Sequence, residues 1–291
     1  MANMFMAVVG AVTTAALLSA CSEPGGAADS GEPSVVAGFY PYAFVAERIA
    51  GEHAGVTNLT PPGAEPHDLE LSPQQVALVT DADVMVYHSG FQPAVDDAVE
   101  QNTEGVQVEV TRIAPLELAG DPHIWQDPTR LAAVATALAD ALARADPEHA
   151  DDFRDNARDL VADLQALDRE FRQTLQRCER RAFVTSHAAF GYLANRYDLE
   201  MIPIRGLSPD TEPSPSRLAE LAALVRERGV TTIFTETLVS AETAQTLAGE
   251  VGVEVTVLDP IEGLSDTTAD EDYLSLMRAN LAALAEANEC S

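Results

Sequence analysis

Residues 147–178 decide the fold, and they read PEHADDFRDNARDLVADLQALDREFRQTLQRC. Apolar residues recur three or four positions apart along this stretch, which predicts one amphipathic helix of about thirty residues. The positions that form the apolar stripe are Phe153, Ala157, Leu160, Leu164, Leu167, Phe171 and Leu175. At about 1.5 Å per residue the helix is ~45 Å long, which exceeds the width of a small domain. We therefore expect it to join two lobes.

Short β-branched runs alternate with helical patterns on both sides of this helix, which favours an α/β fold with parallel strands. The predicted strands are 35–39, 56–59, 83–87 and 106–111 before the helix, and 182–186, 201–204, 231–235 and 253–258 after it. We predict two small parallel-sheet α/β lobes, residues 35–146 and 179–291, joined by the linking helix at 147–178.

The first residues carry an export pattern. Residues 5–20 form an apolar run that ends in Leu18-Ser19-Ala20-Cys21, too short for a membrane span of ~20 residues. Small residues before a cysteine are typical of lipoprotein processing. We predict a signal peptide at 1–20, lipidation at Cys21, a disordered tether at 21–34 and a location outside the cell membrane, held by the lipid alone. The alternative is an ordinary cleaved signal peptide.

The charge of the chain is strongly negative. Acidic residues number 47 and basic residues 17, for a formal charge of −30, and every basic residue is arginine. Such a field repels nucleic acid and anionic lipid, so both are excluded as partners. The simplest explanation is a solvated acidic surface whose self-repulsion is screened in salt.

Two cysteines remain once Cys21 is assigned to lipid. In an oxidising compartment, Cys178 and Cys290 are expected to pair as a disulfide. The alternative is two free thiols.

Three histidine segments lie far apart in the chain: PGAEPHD at 62–68, DPHIW at 121–125 and TSHAAF at 185–190. Three imidazoles and one acid can complete the four-ligand shell of zinc, although any one of these histidines could equally be a solvated loop residue. His67, His187 and Asp259 each follow a predicted strand, and open α/β sheets bind ligands at the carboxyl ends of their strands.

These motifs resemble those of a known family. The segments P-G-x-x-P-H-D-x-E at 62–70, D-P-H-x-W at 121–125, S-H-x-A-F-x-Y-L at 186–193 and L-D-P at 258–260 resemble the metal-binding solute-binding lipoproteins of ABC importers, which include zinc-specific ZnuA-like and manganese-specific proteins. The resemblance implies a divalent cation in the cleft between the two lobes. It also implies an ABC permease subunit with its ATPase as the partner, and we expect a monomer.

The resemblance also implies the ligands. Carried over onto this chain, they are His67, His123, His187 and Asp259. Glu236 is the rival for the fourth place, and Glu65 and Glu236 are candidates for contacts with the ligands. Manganese-binding relatives commonly have a carboxylate at the third position, whereas this chain has His187, so zinc is the expected cargo and manganese the alternative.

The function expected from this resemblance is capture of Zn²⁺ outside the membrane and delivery to a cognate ABC permease, with no enzymatic activity. Three alternatives stay open at this point. The chain could be a Mn²⁺-binding homologue or a surface adhesin that keeps the metal as a structural element. It could also be a zinc hydrolase with Glu236 or Glu65 as general base, although no HExxH segment is present.

Overall fold

Two four-stranded parallel sheets carry the fold. The computed structural model describes Met1 and residues 32–291, apart from the side chain of Asn102. The predicted signal peptide, Cys21 and most of the predicted tether lie outside the described residues. The N-terminal sheet consists of β1 (Ser34–Ala37), β2 (Gly55–Asn58), β3 (Val84–Tyr87) and β4 (Val106–Glu109). The C-terminal sheet consists of β5 (Ala182–Thr185), β6 (Glu200–Pro203), β7 (Thr232–Thr235) and β8 (Glu254–Val257).

Both sheets have the same topology. Their strand orders are β2-β1-β3-β4 and β6-β5-β7-β8, so in each sheet the first strand lies between the second and the third. The central strands β3, β5 and β7 are buried along their whole length, as expected when helices cover both faces of a parallel sheet. The strand order reverses at β1 in the first sheet and at β5 in the second, because the next strand lies on one side and the one after it on the other. At such a reversal the loops after the strands leave a crevice at the carboxyl edge of the sheet.

Helices connect the strands, and half of the ten α-helices among residues 32–291 begin after a residue whose side chain caps the first turn. They are α1 (Tyr40–Ala50), α2 (Pro73–Asp81), α3 (Pro93–Asn102), α4 (Val110–Ile113), α5 (Pro128–Ala145), α6 (Ala150–Leu175), α7 (Gly191–Tyr197), α8 (Pro215–Arg228), α9 (Glu242–Val251) and α10 (Tyr273–Ala287). Ser72 caps α2 and Ser214 caps α8, in each case followed by proline at the first helical position. The short helix α4 and a 3₁₀ turn at Ile124–Gln126 were not predicted.

Helix α6 is the long helix predicted from residues 147–178. It has 26 residues, which gives a length of ~39 Å. Its predicted apolar stripe is buried, with Phe153, Leu160, Leu164 and Phe171 fully inaccessible. The two sheets lie on either side of it in the sequence, and we call the parts before and after α6 the N-terminal and C-terminal halves. The domain limits 35–146 and 179–291 stay predictions.

The largest apolar cluster runs through both halves, and each half has a smaller cluster of its own. Buried residues of the N-terminal sheet, such as Val84, belong to the same cluster as Phe183 of the C-terminal sheet, and the stripe of α6 lies in it as well. Residues 32–291 accordingly form one compact unit. Because this largest cluster spans both halves, wide opening of one half against the other would expose apolar surface and is resisted.

A disulfide joins Cys178, just after α6, to Cys290, just after α10, as the sequence predicted. It ties the end of the chain to the end of the long helix. Among residues 32–291, no helix combines the length and the apolar character that crossing a bilayer requires.

Candidate metal centre

Four loops at the carboxyl edges of the two sheets bring three histidines and one glutamate together. His67 lies in the loop between β2 and α2, and His123 lies directly before the 3₁₀ turn that leads into α5. His187 follows β5, and Glu262 lies in the loop after β8. The N-terminal half therefore contributes two histidines, and the C-terminal half contributes one histidine and the glutamate.

The side-chain atoms of these residues converge on one point. Glu262 Oε1 lies 3.4 Å from Nε2 of His67, 3.1 Å from Nε2 of His123 and 3.4 Å from Nε2 of His187. One potential ligand atom from each residue lies within 4.8 Å of all the others. Three nitrogens and one carboxylate oxygen form a donor set typical of zinc in proteins.

The burial of the cluster supports this reading. The side chains of His123 and His187 are 0% exposed and that of Glu262 is 1% exposed, whereas His67 is 11% exposed. The Nε2 atoms of His123 and His187 have no hydrogen-bond partner of suitable geometry. A buried nitrogen without a partner is costly, and a cation at the centre of the cluster would satisfy both atoms.

Carboxylates on the far side of the rings orient two of the histidines. His123 Nδ1 lies 2.7 Å from Asp121 Oδ1, which also accepts a hydrogen bond from the His123 backbone N–H. His187 Nδ1 lies 2.7 Å from Glu236 Oε1. A proton on each Nδ1, donated to the carboxylate, leaves Nε2 as the free donor atom for a metal. The contact of Glu236 was expected from the sequence, and that of Asp121 was missed.

The charges of the cluster favour retention of protons when no metal is bound. Burial lowers the pKa of His187, but the hydrogen bond to Glu236 and the nearby carboxylate of Glu262 outweigh it and raise the pKa to about 10. The pKa of His123 is raised in the same way, by Asp121 and Glu262 against burial. Burial raises the pKa of Glu262, but the three histidines reverse this and hold it well below its usual range.

Asp259, the residue predicted as the fourth ligand, does not lie in the cluster. Its Oδ1 accepts a hydrogen bond from the Ile261 backbone N–H at 2.7 Å, and its Oδ2 accepts one from Thr237 Oγ1 at 2.8 Å. Both oxygens are therefore occupied within the C-terminal half, and Glu262, three residues further on, has the position that the sequence analysis gave to Asp259. The only signal in the sequence was the presence of this second acid in the same loop.

The remaining candidates have other surroundings. Glu65 Oε1 accepts a hydrogen bond from the His67 backbone N–H, and burial together with the negative charge of Glu262 raises the pKa of Glu65 to about 7. His88 is buried, with Nδ1 2.8 Å from the Tyr42 hydroxyl. Burial, with His123 as a second cause, lowers the pKa of His88 to about 3, so this imidazole is neutral.

The two halves also touch directly beside the cluster. Gly191, the first residue of α7, lies so close to Asp121 that a Cβ atom on it would overlap the carboxylate oxygen Oδ2. This position needs glycine for space rather than for its backbone conformation, because Gly191 is not among the residues with positive φ. The carboxylate that orients His123 therefore packs against the helix that follows His187.

Comparison with known proteins agrees with this geometry. The chain matches the ZnuA family, the periplasmic component A of a zinc-uptake complex, over residues 35–287. The high-affinity zinc uptake system protein ZnuA of Bacillus subtilis is 34% identical over 295 positions, which cover 92% of each chain. The zinc-binding lipoprotein AdcA of Streptococcus pneumoniae is 35% identical over 94% of this chain, which spans 59% of that longer protein.

Solved structures give the same result. The laminin binding protein Lmb of Streptococcus agalactiae, a bifunctional protein with adhesin and metal transporting activity, superposes with a TM-score of 0.81 at 34% identity, covering 88% of this chain and 99% of that one. The Zn(II)-bound ZnuA-like domain of S. pneumoniae AdcA gives a TM-score of 0.78 at 35% identity, covering 89% and 99% of the two chains. The chain thus belongs to the ZnuA family of periplasmic zinc-uptake components.

Proposed function

We propose that this protein captures Zn²⁺ outside the cell membrane with His67, His123, His187 and Glu262 and delivers it to an ABC permease with its ATPase. The observation that carries the proposal is the convergence of three imidazole nitrogens on one oxygen of a buried carboxylate, with the Nε2 atoms of His123 and His187 otherwise without partners. Family membership supplies the context of uptake.

The donor set favours zinc over manganese. Imidazole suits zinc, whereas carboxylate, carbonyl and water oxygens suit manganese, and the cluster offers three imidazoles against one carboxylate. Four protein ligands also complete a tetrahedral shell, and a catalytic zinc site needs an open position for water. The protein is therefore proposed to bind and release the metal without chemistry.

Metal titration tests the ligand set. Metal-free protein is titrated with Zn²⁺ and Mn²⁺ against a chromophoric chelator, and one zinc per chain with a clear preference for zinc is expected. Glu262→Gln and His123→Ala should each weaken zinc by more than about 100-fold, since loss of a ligand exceeds the 10- to 100-fold effect of its outer partners. The matched control is His149→Ala, a half-exposed histidine outside the cluster. Unchanged zinc affinity in Glu262→Gln would refute the proposed shell.

Delivery and anchoring are proposed on the same basis. Zinc-loaded protein should stimulate ATP hydrolysis by the cognate transporter in proteoliposomes, and Glu262→Gln should not. We further propose a monomer held at the membrane by lipid on Cys21, which the run Leu18-Ser19-Ala20-Cys21 supports. Cys21→Ala should release the protein from the membrane fraction, and a free Cys21 thiol in the native protein would contradict the lipid anchor.

A further inference from the structure

The loop that carries Glu262 contains a strained residue. Ile261 has φ +58° and is fully buried. A β-branched residue rarely adopts this left-handed conformation, because its Cβ approaches the following carbonyl oxygen. Among residues 32–291, the other non-glycine residues with positive φ are Asp198 and Glu289, and both are exposed. Such strain persists only where the surrounding contacts hold it.

Asp259 makes the contact that fixes this residue. Its Oδ1 accepts the Ile261 backbone N–H at 2.7 Å, and its Oδ2 is anchored by the Thr237 hydroxyl at 2.8 Å. The Asp259 backbone is fixed in turn, because its N–H donates to Asn280 Oδ1 at 2.9 Å and its carbonyl accepts from Asn280 Nδ2 at 2.6 Å.

The next residue is held from the other half of the molecule. The Pro260 carbonyl accepts hydrogen bonds from Trp125 Nε1 at 2.8 Å and from Gln126 Nε2 at 2.5 Å. Both donors follow His123 within three residues. The segment that contains His123 therefore also binds the loop that contains Glu262, at the residue directly before Ile261.

We propose that Asp259 is a positioning residue for the metal site: it holds Ile261 in the left-handed conformation, and this turn aims the Glu262 carboxylate at the three histidines. The inference rests on the proposed function, since it takes Glu262 as a ligand. Two other roles for Asp259 are the alternatives: it could be a metal ligand itself, or it could only cap the turn without any effect on metal binding.

Two substitutions at Asp259 separate these roles. Asp259→Asn keeps an oxygen that accepts the Ile261 N–H, so its zinc affinity should stay within about threefold of the parent chain. Asp259→Ala removes that oxygen and should weaken zinc about 10- to 100-fold, the range found when an outer partner of a ligand is lost. If Asp259 were itself a ligand, Asp259→Asn would bind as weakly as Asp259→Ala.

A second pair of variants tests the backbone argument. In the Asp259→Ala background, Ile261→Gly and Ile261→Ala remove almost the same buried side chain, but only glycine adopts positive φ without cost. The glycine variant should bind zinc about 5- to 30-fold more tightly than the alanine variant, which is the left-handed penalty expressed as a ratio of affinities. Denaturant unfolding of each variant establishes that it is folded before titration.

The outcomes distinguish this inference from the proposed function. Equal affinities of the two double variants, or an Asp259→Ala chain that binds zinc like the parent, overturn the positioning role while leaving the ligand set intact. Unchanged affinity in Glu262→Gln overturns the ligand set itself. Rescue by Asp259→Asn together with tighter binding by the glycine variant supports the positioning role.

Discussion

Zinc and protons compete for His187, and the competition should extend far above the ordinary range of histidine. The imidazole must be neutral to bind a metal. Glu236 and Glu262 outweigh the effect of burial and raise the pKa of His187 to about 10, so the metal-free protein carries a proton there at neutral pH. Zinc must displace this proton, and its affinity should therefore rise with pH.

The size of the effect of pH on zinc binding follows from the raised pKa of His187. At pH 7 the proton must be removed three pH units below a pKa of about 10, which costs ~4 kcal/mol. Log K for zinc should rise by about one per pH unit between pH 6 and 9 from His187 alone. The pKa of His123 is also raised, so the slope should be greater than one wherever that imidazole is protonated too.

Chelator competition at fixed ionic strength across pH 6 to 9 measures the slope, and calorimetry in buffers of different ionisation enthalpy counts the protons released. Glu236→Gln is the matched variant, because its amide oxygen still accepts the hydrogen bond from His187 Nδ1 but the negative charge is gone. In this variant the pKa of His187 should be lower, and zinc affinity should depend less steeply on pH. Zinc affinity that is constant between pH 6 and 9, with no proton released, would refute the reasoning.

Three further predictions concern packing and covalent structure. Gly191→Ala should weaken zinc binding about 10-fold, because the new Cβ displaces the carboxylate that orients His123. The control Gly249→Ala, whose Cβ would meet no atom within 4 Å, should bind zinc like the parent chain. Equal zinc affinities of the two variants would contradict the steric argument. Leu164→Ala should lower the free energy of unfolding by about 2–5 kcal/mol in denaturant titrations, and a loss under about 1 kcal/mol would mean that the long helix is loosely packed. Replacing Cys178 and Cys290 together by serine should cost about 2–5 kcal/mol without changing zinc stoichiometry, and unchanged stability would show that the disulfide adds nothing.

Periodicity in the sequence was sufficient for the architecture. The strands and the long helix lie within a few residues of their predicted limits. The apolar residues of β3, β5, β7 and α6 are buried as their patterns require, whereas Val255 and Val257 of the outer strand β8 are exposed. The short helix α4 has four residues, too few to show a helical period, and so it was missed.

The site was predicted in part. The three histidines are marked by their motifs, and the structure brings them together. The fourth acid could not be chosen from the sequence, because Asp259 and Glu262 share one loop and, as we infer, the backbone conformation of Ile261 directs Glu262 at the histidines. A left-handed isoleucine has no signature in sequence, since glycine or asparagine is the residue expected there.

The apolar core shared by the two halves has a consequence for how bound zinc affects the whole chain. Because the largest apolar cluster contains residues of both halves, the chain should unfold in a single cooperative transition rather than half by half. A ligand that binds only the native state then raises the free energy of this global transition by ~4.1 kcal/mol when free zinc exceeds its dissociation constant 1,000-fold. Strands β2 and β8, at the outer edges of their sheets, should then gain the same protection against global unfolding as the loops that carry the proposed ligands.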